Sequence, residues 1–121
     1  MTDLLGKAAD WLERQRHRHL TTPVWFERDG SRVGLLATVG RTRFESTDQY
    51  GHVLRSESRD FLVRAADLVL DGAAVLPRSG DLIIEADRRY EVLSPAGEPE
   101  WRWSDPNQTT LRIHTRQIDE E

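Results

Sequence analysis

The chain has 121 residues with 17 basic and 21 acidic side chains, a net charge of -4, no cysteine, and 37% hydrophobic against 31% charged residues. That length fits one domain with a thin core, and the acidic balance argues against a broad phosphate-neutralising face. The missing thiols exclude a disulfide scaffold or thiolate zinc site, and no apolar run approaches the length of a membrane span.

Residues 3–19 read as a helix. Leu4, Leu5, Ala8, Ala9, Trp11 and Leu12 recur at three- and four-residue steps, Thr2 and Asp3 can cap the start, and Thr21-Thr22-Pro23 stops it. Arg14, Arg16, His17, Arg18 and His19 gather at the end, where cations complement the helix dipole. No signal-peptide plan precedes it, so the expected site of synthesis is the cytoplasm.

From Pro23 the helical period gives way to short extended runs. Val24 to Glu27 is the first, Asp29-Gly30 is a two-residue hairpin signal, and Val33 to Val39 is the second, with Gly40 expected to break it. Thr42 to Ser46 follows, Asp48 to Gly51 turns the chain, and His52 to Arg64 reads as a longer strand. A short apolar piece, Asp67 to Leu70, closes on Asp71-Gly72. Pro77 and Gly80 punctuate a turn, Asp81 to Glu85 extends, Asp87 and Arg88 turn, and Tyr90 with Val92 alternates like a half-buried strand.

Residues 94–108 hold three of the five prolines and read as one long loop carrying Trp101 and Trp103. The closing strand, Thr109 to Ile118, places Leu111, Ile113 and Thr115 inward and Arg112, His114 and Arg116 outward. The tail from Asp119 to Glu121 is expected to fray. The fold expectation is therefore a single domain over 1–121, mainly β: a helix at 3–19, then a small antiparallel barrel or rolled sheet over 23–118.

Candidate chemistry is sparse. His17 and His19 are two apart and point to different sides of a helix, and His52 and His114 stand alone, so no metal or other cofactor is expected. Acid pairs such as Glu57 with Asp60, Asp81 with Glu85, or Glu98 with Glu100 could serve acid–base roles, but nothing distinguishes them from solvated faces. Ser56, Ser58 and Ser104 lack a nucleophile-elbow context. Trp101-Arg102-Trp103 can be read as a core plug, a subunit contact, or a base-stacking platform of the kind an OB-like single-strand binder uses.

The ordered set ESRDFLV, DLVLDG, PRSGDLIIEADRRYEV and GEPEWRWSDPNQTTLRIHT, spanning residues 57 to 118, resembles small head–tail joining or head-completion proteins of tailed bacteriophages and prophages. The resemblance implies a non-enzymatic virion protein: a small β-barrel that forms a six-fold or twelve-fold ring in the neck, touching portal or adaptor on one side and tail on the other. Packaged DNA would pass through it, and no membrane is involved. On that reading Leu4, Leu5, Ala8, Trp11, Leu12, Trp101 and Trp103 are the expected contacts with neighbouring subunits, tail or portal. Arg14, Arg16 and Arg18 would face portal or DNA. Tail-terminator proteins share the ring habit and are the nearest alternative.

Overall fold

The computed structural model describes residues 21–118, so the helix read at 3–19 and the tail after Ile118 lie outside the described residues. Among the described residues nine strands make up the framework: β1 Thr22–Arg28, β2 Ser31–Thr47, β3 Val53–Arg64, β4 Val69–Leu70, β5 Ala73–Ala74, β6 Leu82–Glu85, β7 Arg88–Val92, β8 Trp101–Trp103 and β9 Thr110–Ile118. Among the described residues the only helical pieces are two 3-10 turns, Ala65–Asp67 and Pro95–Gly97.

Six strands close an antiparallel barrel in the order β3-β2-β1-β6-β7-β9, with β9 returning to pair with β3. Alternation in the sequence dictates its interior. Val24 and Phe26, Leu35 and Ala37, Phe61 and Val63, Tyr90 and Val92, and Leu111, Ile113 and Thr115 are buried at period-2 positions, joined by Ile83 of β6. Phe61 and Tyr90 meet edge to face at 5.2 Å. The inward assignment of Leu111, Ile113 and Thr115 made from sequence thus holds.

Turn chemistry sets the register. Asp29 and Gly30, both at positive φ, carry β1 into β2 with Arg28 opposite Ser31. Asp71 and Gly72 do the same for the small β4–β5 hairpin, from which Leu68 and Leu70 enter the core beyond the end of β3. At the opposite mouth Arg59 lies over Phe61 and Tyr90, its guanidinium carbon 5.5 and 5.0 Å from the ring centres, and donates to Glu85 at 2.5 Å. The barrel is therefore plugged by leucines at one end and by a paired arginine at the other.

Two sequence expectations change in the structure. Gly40 does not break its run: β2 continues through it for 17 residues, because Gly40 stays paired with Asp60 across the β2–β3 ladder. Within 94–108, read from sequence as one loop, lie the Pro95–Gly97 turn and the strand β8, which pairs with β9 through Trp101↔Ile113 and Trp103↔Leu111. The turn that joins β8 to β9 is held by Asp105, whose carboxylate accepts from the Thr109 and Thr110 amides, each at 2.9 Å.

Outside the β1–β2 turn, Asp81 anchors the approach to β6. Its buried carboxylate accepts two bonds from Arg28, Nε at 2.9 Å and Nη2 at 2.7 Å, and one from the Arg78 amide at 2.8 Å. We expect Asp81→Ala to lower stability by about 3 kcal/mol, since it takes the carboxylate from a largely buried guanidinium and leaves it the Leu76 carbonyl. Urea unfolding would show this as a lower midpoint at unchanged slope.

Candidate functional site

Strands β2 and β3 are longer than the strands that flank them. Described β1 pairing with β2 stops at Thr22↔Ala37, and β9 pairing with β3 stops at Arg59↔Thr115. From Thr42↔Ser58 to Thr47↔Val53 the two strands pair with each other alone among the described residues. They leave the barrel as a two-stranded ribbon of roughly 17 Å plus its turn.

The base of the ribbon is built on Asp60, which is fully buried. His114 Nδ1 lies 2.9 Å from Oδ1, Ser58 Oγ donates to Oδ1 at 2.6 Å, Arg112 Nη1 donates to Oδ2 at 2.6 Å, and the Thr42 hydroxyl also donates to Oδ2. One carboxylate thus binds side chains from β2, β3 and β9. Gly40 makes room for this: a Cβ there would stand 3.2 Å from Arg112 Nη1. Phe44, on the ribbon, meets the His114 ring edge-on at 5.3 Å.

Sequence reading placed Arg112 and His114 outward, toward solvent. They do sit on the outer side of β9, but His114 is buried and Arg112 partly so, with Thr42 and Phe44 of the ribbon base beside the cluster. Glu57 and Asp60, weighed from sequence as an acid–base pair, fall on opposite faces of β3: Glu57 meets Arg41 and Arg43 in solvent while Asp60 is enclosed.

Serine, histidine and aspartate together suggest a nucleophile, yet the geometry differs from a relay. Asp60 and Ser58 both face Nδ1, Ser58 at 3.3 Å, whereas a catalytic triad sets acid and hydroxyl on opposite ring nitrogens. The ionised carboxylate is acceptor-only, so Nδ1 carries the proton and the Ser58 hydroxyl points at Asp60. What the cluster does is tie the ribbon to the closing strand.

Burial by itself would raise the Asp60 carboxyl, but bonds from His114, Ser58, Thr42 and Arg112 outweigh it and hold the group far below the usual carboxylate range.

The tip is a hydrogen-bonded turn that carries exposed apolar side chains. Asp48 accepts from the Tyr50 amide at 2.8 Å and the His52 amide at 2.9 Å, and these bonds, that of His52 first, keep its carboxyl below its ordinary value. Gly51 supplies the positive φ that the turn requires. Held on this turn, Tyr50 is 75% exposed, Val53 59% and Leu54 51%. The shaft between base and tip is charged and paired across strands, Arg55 to Glu45 at 3.4 Å and Arg43 to Glu57 at 3.5 Å. Such exposed pairs contribute about 1 kcal/mol at most.

The other expected contact residues are placed differently. Trp101 and Trp103 are half-buried, pack against the core and meet each other edge to face at 5.1 Å, while Arg102 between them is exposed. One ring face is thereby taken by the neighbouring ring's edge, which leaves a smaller stacking surface than two splayed indoles would offer. Leu4, Leu5, Ala8, Trp11, Leu12, Arg14, Arg16 and Arg18 lie outside the described residues. His52 and His114 occupy the tip and the base of the ribbon, and no cluster among the described residues could hold a metal ion. The exposed tip was missed from sequence, although Tyr50 within the Asp48-x-x-Gly51 turn and Val53-Leu54 just after it were the available signal.

The family model described as phage head-tail joining protein matches residues 2–121, and the chain belongs to that family. No curated protein matches it. Membership makes it a virion component that works with phage head and tail proteins, and it speaks for a structural rather than an enzymatic part. No described helix is long and apolar enough to cross a membrane.

Two outcomes test the cluster and the tryptophans. Asp60→Asn should cost about 3 kcal/mol at pH 7, the loss expected when a buried ion pair loses one partner. Because the folded-state affinity of Asp60 for a proton is depressed, its stabilisation is complete above the ordinary carboxylate value near pH 4 and is lost as the pH falls from there. The gap between wild type and Asp60→Asn in urea should therefore be wider at pH 5 than at pH 3. Trp101→Ala should lower stability by about 2 kcal/mol through lost core packing, visible as a lower thermal midpoint.

Proposed function

We propose that the chain is a subunit of a ring in the phage neck that joins the DNA-filled head, at its portal or adaptor, to the tail, and that the β2–β3 ribbon is its docking arm. The observation that carries this reading is the tip: Tyr50, Val53 and Leu54 are exposed at the end of a ribbon whose base is fixed by Asp60. Apolar side chains held in a preorganised turn lose little conformational freedom when a partner covers them, so their burial goes largely into affinity.

Ring contacts are head-to-tail around an axis, with different patches of one subunit meeting on the next. Strand β8, at the end of the sheet order, offers one such lateral surface through Arg102 and the exposed parts of Trp101 and Trp103. Six or twelve copies match the symmetry expected of a neck. The net charge of -4 suits a passage that DNA must traverse without capture. A place as adaptor, stopper or tail terminator is compatible with the same surface.

The triple variant Tyr50→Ser, Val53→Ser, Leu54→Ser changes only exposed side chains and should fold with the wild-type thermal midpoint to within a few degrees. In a phage carrying it, we expect DNA-filled heads to accumulate without tails, counted by electron microscopy. Tailed particles in wild-type numbers would remove the ribbon from the joining role.

A further inference from the structure

Three strands carry their inward row past the end of the core into an arginine. On β2 the row Leu35, Ala37, Val39 reaches Arg41, on β3 Arg59 stands two residues before Phe61, and on β7 Arg88 stands two before Tyr90. Together with Arg116 of β9 these arginines line an open pocket of about 270 Å³ at the Arg59 mouth, room for a compact anion and several waters at roughly 30 Å³ each. Glu57 is the one acidic residue in its described lining. The pocket is thus cationic in a chain whose net charge is -4.

Barrel closure does not account for this grouping. Arg41 and Arg59 stand directly opposite each other in the β2–β3 ladder, where like charges oppose pairing. Nearby carboxylates answer them only in part: Glu57 lies 3.6 Å from Arg41 and Glu91 3.8 Å from Arg116, long contacts between exposed groups that contribute little. Arg88 has no ion pair among the described residues. Arg59 is the best placed and the least satisfied. Its guanidinium is laid over Phe61 and Tyr90, yet of its donors only Nη2 finds an acceptor, on Glu85, and its Nε is the one buried side-chain nitrogen or oxygen among the described residues with no partner at all.

We infer that the Arg59 mouth is a binding site for a phosphate group. Guanidinium forks from four strands converge there, and phosphate is the oxyanion whose charge and several acceptor oxygens can engage more than one fork at once. A carboxylate has two oxygens, and three carboxylates already stand beside these arginines without satisfying them. Stacking on two buried rings holds the Arg59 guanidinium in place before any ligand arrives, so little side-chain freedom is lost on binding. Free phosphate and the backbone of DNA present the same chemistry.

The Arg59 Nε–H resonance of the full-length protein reports directly on the site. Inorganic phosphate, added at constant ionic strength, should shift it saturably, while acetate at the same concentrations should not. Arg116→Gln alters an exposed side chain and should weaken phosphate at least threefold, whereas Arg102→Gln on β8 should leave the affinity unchanged. Should Arg116→Gln fail to fold, Arg88→Gln, also at an exposed position, takes its place.

Short duplex DNA at matched phosphate concentration separates the two sources. A shift with both ligands supports the site and assigns the DNA backbone to it; a shift with inorganic phosphate alone supports the site and assigns the free anion. No saturable shift with either would overturn the inference, as would an equal response to acetate, the mark of a site for an acidic protein segment. So would binding that appears only in the variant Asp119→Asn, Glu120→Gln, Glu121→Gln, which would give these arginines to the chain's own carboxylates.

Discussion

The shape of this molecule follows from a mismatch of strand lengths. Closing a barrel requires each strand to find two neighbours, and β9, nine residues long, must serve β3 on one side and both β7 and β8 on the other. It cannot also cover the whole of β3, which has 12 residues, nor can seven-residue β1 cover 17-residue β2. The surplus of β2 and β3 has only itself to pair with, and so projects. A bare two-stranded ribbon is marginal in water, and this one is stable because its root is tied to the barrel by a single carboxylate that accepts bonds from three strands and carries one arginine with it.

That division of labour fits a protein whose business is contact. The barrel core is apolar and small, with leucines at one mouth and Arg59 at the other. The polar cluster that does exist is fully engaged in holding the ribbon. Along the shaft, paired arginines and glutamates keep the exposed strands soluble and discourage edge-to-edge pairing with the wrong chain. Along this ribbon the surface turns apolar at the tip, with Tyr50, Val53 and Leu54 exposed.

Much of the barrel was legible in the sequence because turns and alternation carry it. Asp29-Gly30 and Asp71-Gly72 mark hairpins by backbone necessity, and Val24 to Phe26 or Leu111 to Thr115 declare an inner face every second residue. Gly40 was misleading for the same reason: glycine usually interrupts a strand, but here its missing side chain admits the Arg112 guanidinium, a tertiary fact invisible locally. The Asp60 cluster was hidden because Ser58, Asp60, Arg112 and His114 occupy outward positions, and an outward polar residue reads as solvated until one knows that Thr42 and Phe44 of β2 close in on it. Its one available trace was the matching register of an Asp on β3 with a His on β9.

Val53 and Leu54 are consecutive in an extended strand, and their side chains leave the ribbon on opposite faces. A flat partner could shelter one of them and would leave its sibling wet. On the proposed docking role, the receiving surface is a slot with two greasy walls, and a slot grips against both push and pull along its axis, as a mortise holds a tenon.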